Sequence, residues 1–494
     1  MLRSDLDRRE FLKIAAGAGA ALAMSKSGHT AVSTKMIGVQ VGAVSFVDEG
    51  VEKVLDVLQE RACVNTLFLA VFTYGRGIAG RQIPGQPLPD HGKQEYDLNF
   101  HGGNFATPHP RYYKNTVLKD TRAPDHGDLD ILAEVLPAAK KRGMKVICWL
   151  EDVFRTDLPN IEKLQERDLY GRNAETLCFN NPNYRNFLTG LVEDYAHSYD
   201  IDGIMWGSER QGALSDSLGA THDVPPIDPG RVTCFCEFCR RKAQERGINV
   251  DHARQGFREL EKFVRSARSG KRPVDGYYVQ FWRLLLRYPE LAAWEMLWTD
   301  SLRETYAAIY KTVKAAKQTV PVGWHIWHNN SFNPIYRAEQ DLQELSGYSD
   351  FIKIVMYNNC GGERMALYAD NIGSTLYADL SKHSLIDFNY AVMGFKEGSY
   401  DQIPHTGLSA DYVYRETKRA LEGVAGTATL IWPGIDVDIP TEPNNSKCTA
   451  RSVQEAVLAA FRAGAPGVIL SRKYSEMRLA DLSGAGDAIR EFKR

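Results

Sequence analysis

Beyond residue 35, short apolar runs alternate with stretches whose apolar residues recur every three or four positions. This is the pattern of strand–helix units that feed a parallel sheet. Met36–Phe46 predicts the first strand, and residues 50–62, with Val51, Val54, Leu55, Val57 and Leu58 on one face, predict its helix. Further strands are expected at 64–74, 144–150, from Ile201, at 320–327, 351–357, 428–435 and 467–471, with helices at 129–143, 183–198, 409–424 and 452–463. Eight strands, each with a crossover helix, make an α/β fold of the (β/α)8 TIM-barrel class. The segment 387–395 reads either as irregular or as an extra strand.

Two interruptions break the rhythm. A polar loop rich in Gly, Pro, His and Tyr runs from Gly75 to about Asp128, and a loop this long in a compact domain is usually functional or disordered. Its aromatics (Tyr96, Phe100, Tyr112, Tyr113) and His101 and His109 suggest a wall of a binding cleft. A largely helical insertion, 210–318, separates strands four and five. No composition break isolates it, so 36–494 reads as one barrel domain.

Charge and composition then narrow the partners. Lys and Arg (60) nearly balance Asp and Glu (62), which argues against nucleic acid. The eight Trp and ten per cent aromatics leave some rings free to stack on sugars. Residues 1–35 read as a targeting segment and linker. Asp7-Arg8-Arg9-Glu10-Phe11-Leu12-Lys13, followed by a short Ala/Gly-rich apolar run, resembles a twin-arginine signal. That implies the Tat export machinery as a partner and a periplasmic or secreted product with no stable membrane span after cleavage. Self-association stays open.

Chemistry concentrates at the predicted strand ends, where a barrel of this class builds its sites. The run Ile201-Asp-Gly-Ile-Met-Trp-Gly-Ser-Glu209-Arg210 lifts a carboxylate and a guanidinium from an apolar surround. Glu209 is the candidate general acid: Met205 and Trp206 beside it would favour its protonated form, and Arg210, if turned inward, would oppose it. Asp438, Asp436 and Glu476 are candidates for the second carboxyl that glycosidic cleavage needs. Arg210, Asp152, Trp324, His325, His328, Tyr357, Asn358, Arg472 and Tyr474 are the expected substrate-binding residues. Cys234-Phe-Cys236-Glu-Phe-Cys239, joined by Cys178 from the preceding loop, has spacing suited to a closed tetrahedral zinc site. One disulfide plus free thiols is the alternative. Cys63 and Cys148 read as core, and Cys360 and Cys448 receive no role.

Leu177-Cys178-Phe-Asn180-Asn-Pro182-Asn-Tyr184-Arg185, then Asp202-Gly203 with Glu209, then the thiol trio, resembles family 42 of the glycoside hydrolases, the zinc-containing β-galactosidases of clan A, over residues 140–360. The resemblance implies the barrel, Glu209 as acid/base and structural zinc on Cys178, Cys234, Cys236 and Cys239. Three features depart from that pattern. Ser208 stands where the family has Asn, the thiols lie farther from Glu209 than in the family, and Trp432-Pro-Gly-Ile-Asp436-Val-Asp438 stands where clan A has its nucleophilic Glu. The chain is therefore more similar to an exported glycosidase-like barrel than to a true β-galactosidase. The expected activity is a carboxylate-catalysed glycosidase acting on an oligo- or polysaccharide. Two rival readings are a non-catalytic glycan-binding barrel and a metal-dependent hydrolase using His325 and His328.

Overall fold

A computed structural model describes residues 35–73, 80–152, 155–441 and 447–492. The twin-arginine segment lies outside them. Residues 36–494 form one compact unit.

Eight parallel strands close into a barrel. They are β1 (Met36–Gly42), β2 (Thr66–Thr73), β3 (Lys145–Glu151), β4 (Gly203–Gly207), β5 (Val322–Ile326), β6 (Phe351–Val355), β7 (Leu430–Asp436) and β8 (Gly467–Ser471). Each pairs in parallel with its neighbours in sequence, and β1 closes the ring against both β8 and β2. Around it stand α1 (Val51–Ala62), α2 (Ile131–Lys141), α3 (Pro182–Ser198), α4 (Glu237–Glu245), α5 (Val250–Arg268), α6 (Tyr277–Arg287), α7 (Glu290–Ala316), α8 (Gly361–Gly373), α9 (Lys382–Met393), α10 (Ala410–Gly423), α11 (Ala450–Ala463) and α12 (Leu479–Phe492). Side chains that start these helices are readable in the chain. Asp130 accepts from the Ala133 amide, Asn181 precedes Pro182, and Thr449 with Ser452 forms a capping box.

Four local expectations change. The apolar run 36–46 splits at Gly42, and Ala43–Glu49 turns into a short helix. A continuous apolar run has no period to distinguish the two states. The segment 387–395 is mostly α9, started by the Ser381 side chain and stopped by Gly394 at positive φ, so no extra strand exists there. The β5–β6 crossover holds only short helices, Pro334–Glu339 and Leu342–Leu345, because Asn333-Pro334 and Asp341 each start a new turn. The insertion's last helix, α7, is the barrel's own fourth crossover.

Strand alternation sorts side chains into two cores. Phe68, Ala70, Ile147, Trp149, Met205, Phe351, Trp432 and Ile469 fill the barrel interior, while the opposite parity packs under the helices. Each large side chain so enclosed contributes about 1.5–3 kcal/mol. Two residues further along the same inward rows come Glu151, Gly207 and Lys353. There the interior changes from apolar to ionisable.

Gly207 makes that layer possible. A Cβ on it would lie 2.6 Å from the Cβ of His325, and one on Gly434 would lie 2.8 Å from Cε of Lys353. Gly207→Ala should therefore cost about 1–3 kcal/mol, since neither Cβ can swing aside. Gly347→Ala, which meets nothing within 4 Å, should stay within about 0.5 kcal/mol of the parent. Urea-unfolding midpoints decide between them, and equal midpoints would refute the close-approach argument.

Candidate active site

Lys353 is fully buried within the ring of strands. Its Nζ donates to Gln40 Oε1 (2.6 Å) and to the Tyr357 hydroxyl (3.1 Å), and faces His325 Nδ1 at 3.2 Å. With Nδ1 taken as acceptor, the imidazole proton lies on Nε2, which donates to Glu209 Oε1 at 2.9 Å. The chain Lys353–His325–Glu209 thus runs from the barrel interior to its rim. Burial pushes Lys353 down to about 7, against the opposing pull of Glu209 and Glu151. Burial and the Lys353 charge also lower His325.

Glu209 sits deep in the opening and yet keeps 38 % of its side chain exposed. Burial by itself would raise its pKa. The hydrogen bond and electrostatic pull of His325, with the charges of Arg364 and Lys353, outweigh burial and hold the carboxyl at about 2. Glu209 is therefore ionised, contrary to the expectation that Met205 and Trp206 would keep it protonated. Trp206 in fact belongs to the outer core, against Tyr306, with the opposite strand parity.

The carboxyl pushed the other way is Glu151, at the position before the expected Asp152. It ends β3 opposite Gly207 of β4 and is 6 % exposed. Burial pushes its pKa well up, and the negative charge of Glu209 adds to that; Arg472 and Lys353 oppose. Its Oε2 has no hydrogen-bond partner among the described residues. Two carboxyls on adjacent strand ends are thereby pushed in opposite directions, Glu151 up and Glu209 down. The available signal was parity, because Ile147, Trp149 and Glu151 share one face of β3.

The other expected acids face elsewhere. Asp436 is fully buried and accepts from the amides of Asn359 (3.1 Å) and Cys360 (2.8 Å), so it pins the loop after β6. Asp438 accepts from the Arg478 amide (2.8 Å) and Nε (3.0 Å), at the foot of α12. Glu476 lies buried against Arg472 (3.2 Å) and Lys473 (3.6 Å).

Arg210 and Asp152 form a buried ion pair outside the opening. Asp152 accepts from Arg210 Nε (2.9 Å), Ser208 Oγ (2.5 Å) and the Tyr184 hydroxyl (2.7 Å). Arg210 also lies 3.3 Å from Glu166, stacks over Phe179 and donates to the Leu177 carbonyl. The pair ties the ends of β3 and β4 to the loop carrying Cys178. Trp324 is likewise outward, its indole N–H donating to the Tyr348 carbonyl. Strand alternation separates it from His325.

Tyr474 stacks on His91 under the 80–95 loop, with 4.2 Å between ring centroids. Asn358 is buried, and its carbonyl accepts from the Leu408 amide. His328 is neutral, pushed well down first by burial; its Nδ1 faces Arg364 at 3.2 Å and its Nε2 faces the Tyr412 hydroxyl at 3.1 Å. With both nitrogens of His325 and of His328 engaged, no metal-ligating group among the described residues includes a histidine. His325, Tyr357 and Glu209 are therefore the expected residues that meet at Lys353, and the charge of Arg472 reaches Glu151.

The long loop divides. Residues 84–86 line a cleft of about 480 Å³ with His222, Asp223, Arg364 and Thr441. Farther along, Tyr113 packs against Phe187 of α3, and its hydroxyl donates to Asp194 (3.1 Å). His109 pairs with the same carboxylate at 2.7 Å. That portion covers the barrel's outer side, not a cleft.

The sulfur atoms of Cys178, Cys234, Cys236 and Cys239 all lie within 4.8 Å of one another and are buried. All eight cysteines are free thiols, so no disulfide uses them. The Cys178 sulfur is 3.4 Å from Cys236 and 3.5 Å from Cys239. Zinc–sulfur bonds of about 2.3 Å in a tetrahedron place the sulfurs about 3.8 Å apart, so the donor set fits that ion.

No family model matches the sequence, and no curated protein matches it. Solved structures do. The fold is similar to α-L-fucosidase isoenzyme 2 from Paenibacillus thiaminolyticus, with a TM-score of 0.50 and 12 % identity over 93 % of this chain and 49 % of that one. A β-galactosidase from the Antarctic haloarchaeon Halorubrum lacusprofundi gives a TM-score of 0.49 at 15 % identity, over 92 % of this chain and 57 % of that one. The glycoside hydrolase domain of PgaB from Bordetella bronchiseptica gives 0.47 at 11 %, over 93 % and 98 %. The chain spans about half the length of the fucosidase. The likeness to the fucosidase is one of fold, the parallel eight-stranded barrel.

Breaking one half of the outer ion pair should strand a buried charge. Arg210→Met is expected to lower stability by about 3–5 kcal/mol in urea unfolding. A substrate-binding role would instead leave the midpoint in place and raise KM.

Proposed function

We propose that this protein is a glycoside hydrolase in which Glu151 and Glu209 are the working carboxyls. The observation that supports this reading is their placement: one barrel opening and adjacent strand ends, with surroundings that push the two carboxyls in opposite directions. A pair of carboxyls split in this way supplies a proton donor and an ionised base or nucleophile together. Glu151 gives its proton to the departing glycosidic oxygen as the C–O bond breaks. Glu209 either takes a proton from the water that attacks the anomeric carbon, or attacks that carbon itself to form a glycosyl ester, which water then cleaves as the now ionised Glu151 takes its proton. These roles reverse the first assignment, in which Glu209 was the acid. His325 holds the Glu209 carboxylate in place, and Lys353 fixes the imidazole tautomer behind it.

The neighbouring thiols are proposed to hold one structural zinc through Cys178, Cys234, Cys236 and Cys239. When bound, the ion crosslinks two loops and leaves no ligand position open. The same proposal includes export by the twin-arginine route, resting on Arg8-Arg9-Glu10-Phe11-Leu12-Lys13. Such cargo crosses the membrane folded, so the thiols could bind their ion in the reducing cytosol.

Glu151→Gln and Glu209→Gln should each lower turnover of an oligosaccharide by about 10²–10⁴-fold. With an activated dinitrophenyl leaving group, which needs little protonation, Glu151→Gln should recover and a loss at Glu209 should persist. Unaltered turnover in both variants, or binding of glycans without turnover by the parent, would remove the hydrolase reading.

The Lys353 charge lowers the Glu209 pKa, so Lys353→Met should raise it. Activity requires ionised Glu209, so the acid limb of kcat/KM should move to higher pH. An unmoved acid limb would contradict the relay. Metal analysis of the purified chain should find about one zinc, retained in Glu209→Gln and lost in Cys236→Ser. Zinc-free folded protein would reject the metal site.

A further inference from the structure

Arg364, in the first turns of α8, is half-buried and lines the 480 Å³ cleft with His222, Asp223 and Thr441. Its Nη1 faces His328 Nδ1 at 3.2 Å, and its guanidinium carbon lies 5.7 Å from the centroid of the Tyr357 ring. Among the described residues no carboxylate comes within ion-pair distance of it. Two neighbouring cations differ: Arg472 has Glu476, and Lys447 takes Glu363, the residue next to Arg364. Lys353 also lacks a carboxylate partner, but Gln40, Tyr357 and His325 enclose it, whereas Arg364 faces the cleft.

The one close acceptor does not balance the charge. Burial keeps His328 neutral, so it receives one N–H and leaves the full positive charge in place. His222, on the same cleft, is also neutral, pushed by burial to about 3. Glu209 and Asp223 feel the guanidinium at longer range. Glu209 is already held by His325, and Asp223 accepts from the Thr221 hydroxyl at 3.1 Å. Glu209 and Asp223 thus balance the guanidinium only from a distance, and most of its N–H donors are left facing the cleft for a ligand.

We propose that Arg364 receives a carboxylate carried by the substrate, so that the site is built for glycans containing a uronic acid. This rests on the hydrolase reading for the site and adds its substrate class. A guanidinium has five donors in a planar fork and spends one on His328. Two of the remainder match the two oxygens of a carboxylate. Asp223, Glu209 and Glu363 around the same opening disfavour a doubly charged phosphate. A singly charged sulfate ester shares the chemistry and is separated by experiment.

The test is equilibrium binding to the full chain, followed by ligand-observed NMR, of glucuronate, galacturonate and mannuronate against glucose, galactose and mannose. None of these monosaccharides has a glycosidic bond to cleave. At least one uronate should bind about 10- to 100-fold more tightly than its neutral parent, and the preference should shrink as salt rises. It should vanish in Arg364→Met and return in part in Arg364→Lys. Equal binding of acid and neutral sugars, no binding of either, or tight binding of glucose 6-sulfate alone would overturn it. So would an Arg364→Met variant that loses neutral and acidic ligands equally, because Arg364 would then only support Glu209. Should Arg364→Met fail to fold, the parent comparison and Arg364→Lys still decide. Hydrolysis of neutral glycosides without uronate preference defeats this inference and spares the hydrolase reading; uronate preference without hydrolysis does the reverse.

Discussion

An ammonium group enclosed by a ring of strands sets the chemistry of this molecule. Taking Lys353 out of water is expensive, and the barrel offsets it with three close partners, Gln40, Tyr357 and His325. The third partner passes the effect outward. An imidazole whose Nδ1 is occupied must present its Nε2 proton, and that proton meets Glu209. Glu209 stays ionised, and its charge helps keep the proton on Glu151. The buried cation thus reaches Glu209 through His325, while its own charge opposes the rise at Glu151.

Strand parity keeps a second set of charges away from the first. Asp152 and Arg210 are sequence neighbours of Glu151 and Glu209, yet they turn toward the thiol-bearing loops instead of the opening. That outer pair, with Glu166, joins the ends of β3 and β4 to Cys178 and its partners. The scaffold and the chemistry therefore occupy the same two strand ends on opposite faces. The arrangement explains why Ser208-Glu209-Arg210 is so compact: each residue in turn serves a different side.

The barrel was legible in the chain because its apolar runs are short, evenly separated and followed by capped amphipathic helices. Boundaries were less so. Ala43–Phe46 is as apolar as a strand and folds as a helix, and α9 was obscured by its weak periodicity. At the site, Cys234, Cys236 and Cys239 stand out by local spacing, whereas Cys178 joins them only through the fold, from the loop after β3. Glu151 does not stand out, because choosing it over Asp152 needs the register of β3. Lys353 carried a usable signal, a single charge inside the otherwise apolar Phe351–Val355, that residue-type motifs do not capture. Asp436 and Asp438 drew attention by position, and only the fold shows that backbone amides and Arg478 occupy them.

The central claim concerns protonation, and protonation can be observed without a substrate. Carbon-13 labelling of the glutamate carboxyls, with Glu151→Gln and Glu209→Gln used for assignment, allows both groups to be titrated by NMR. The account requires Glu209 to remain ionised down to about pH 2 while Glu151 keeps its proton well above the ordinary carboxyl range. Two carboxyls titrating together near the usual glutamate value would contradict it.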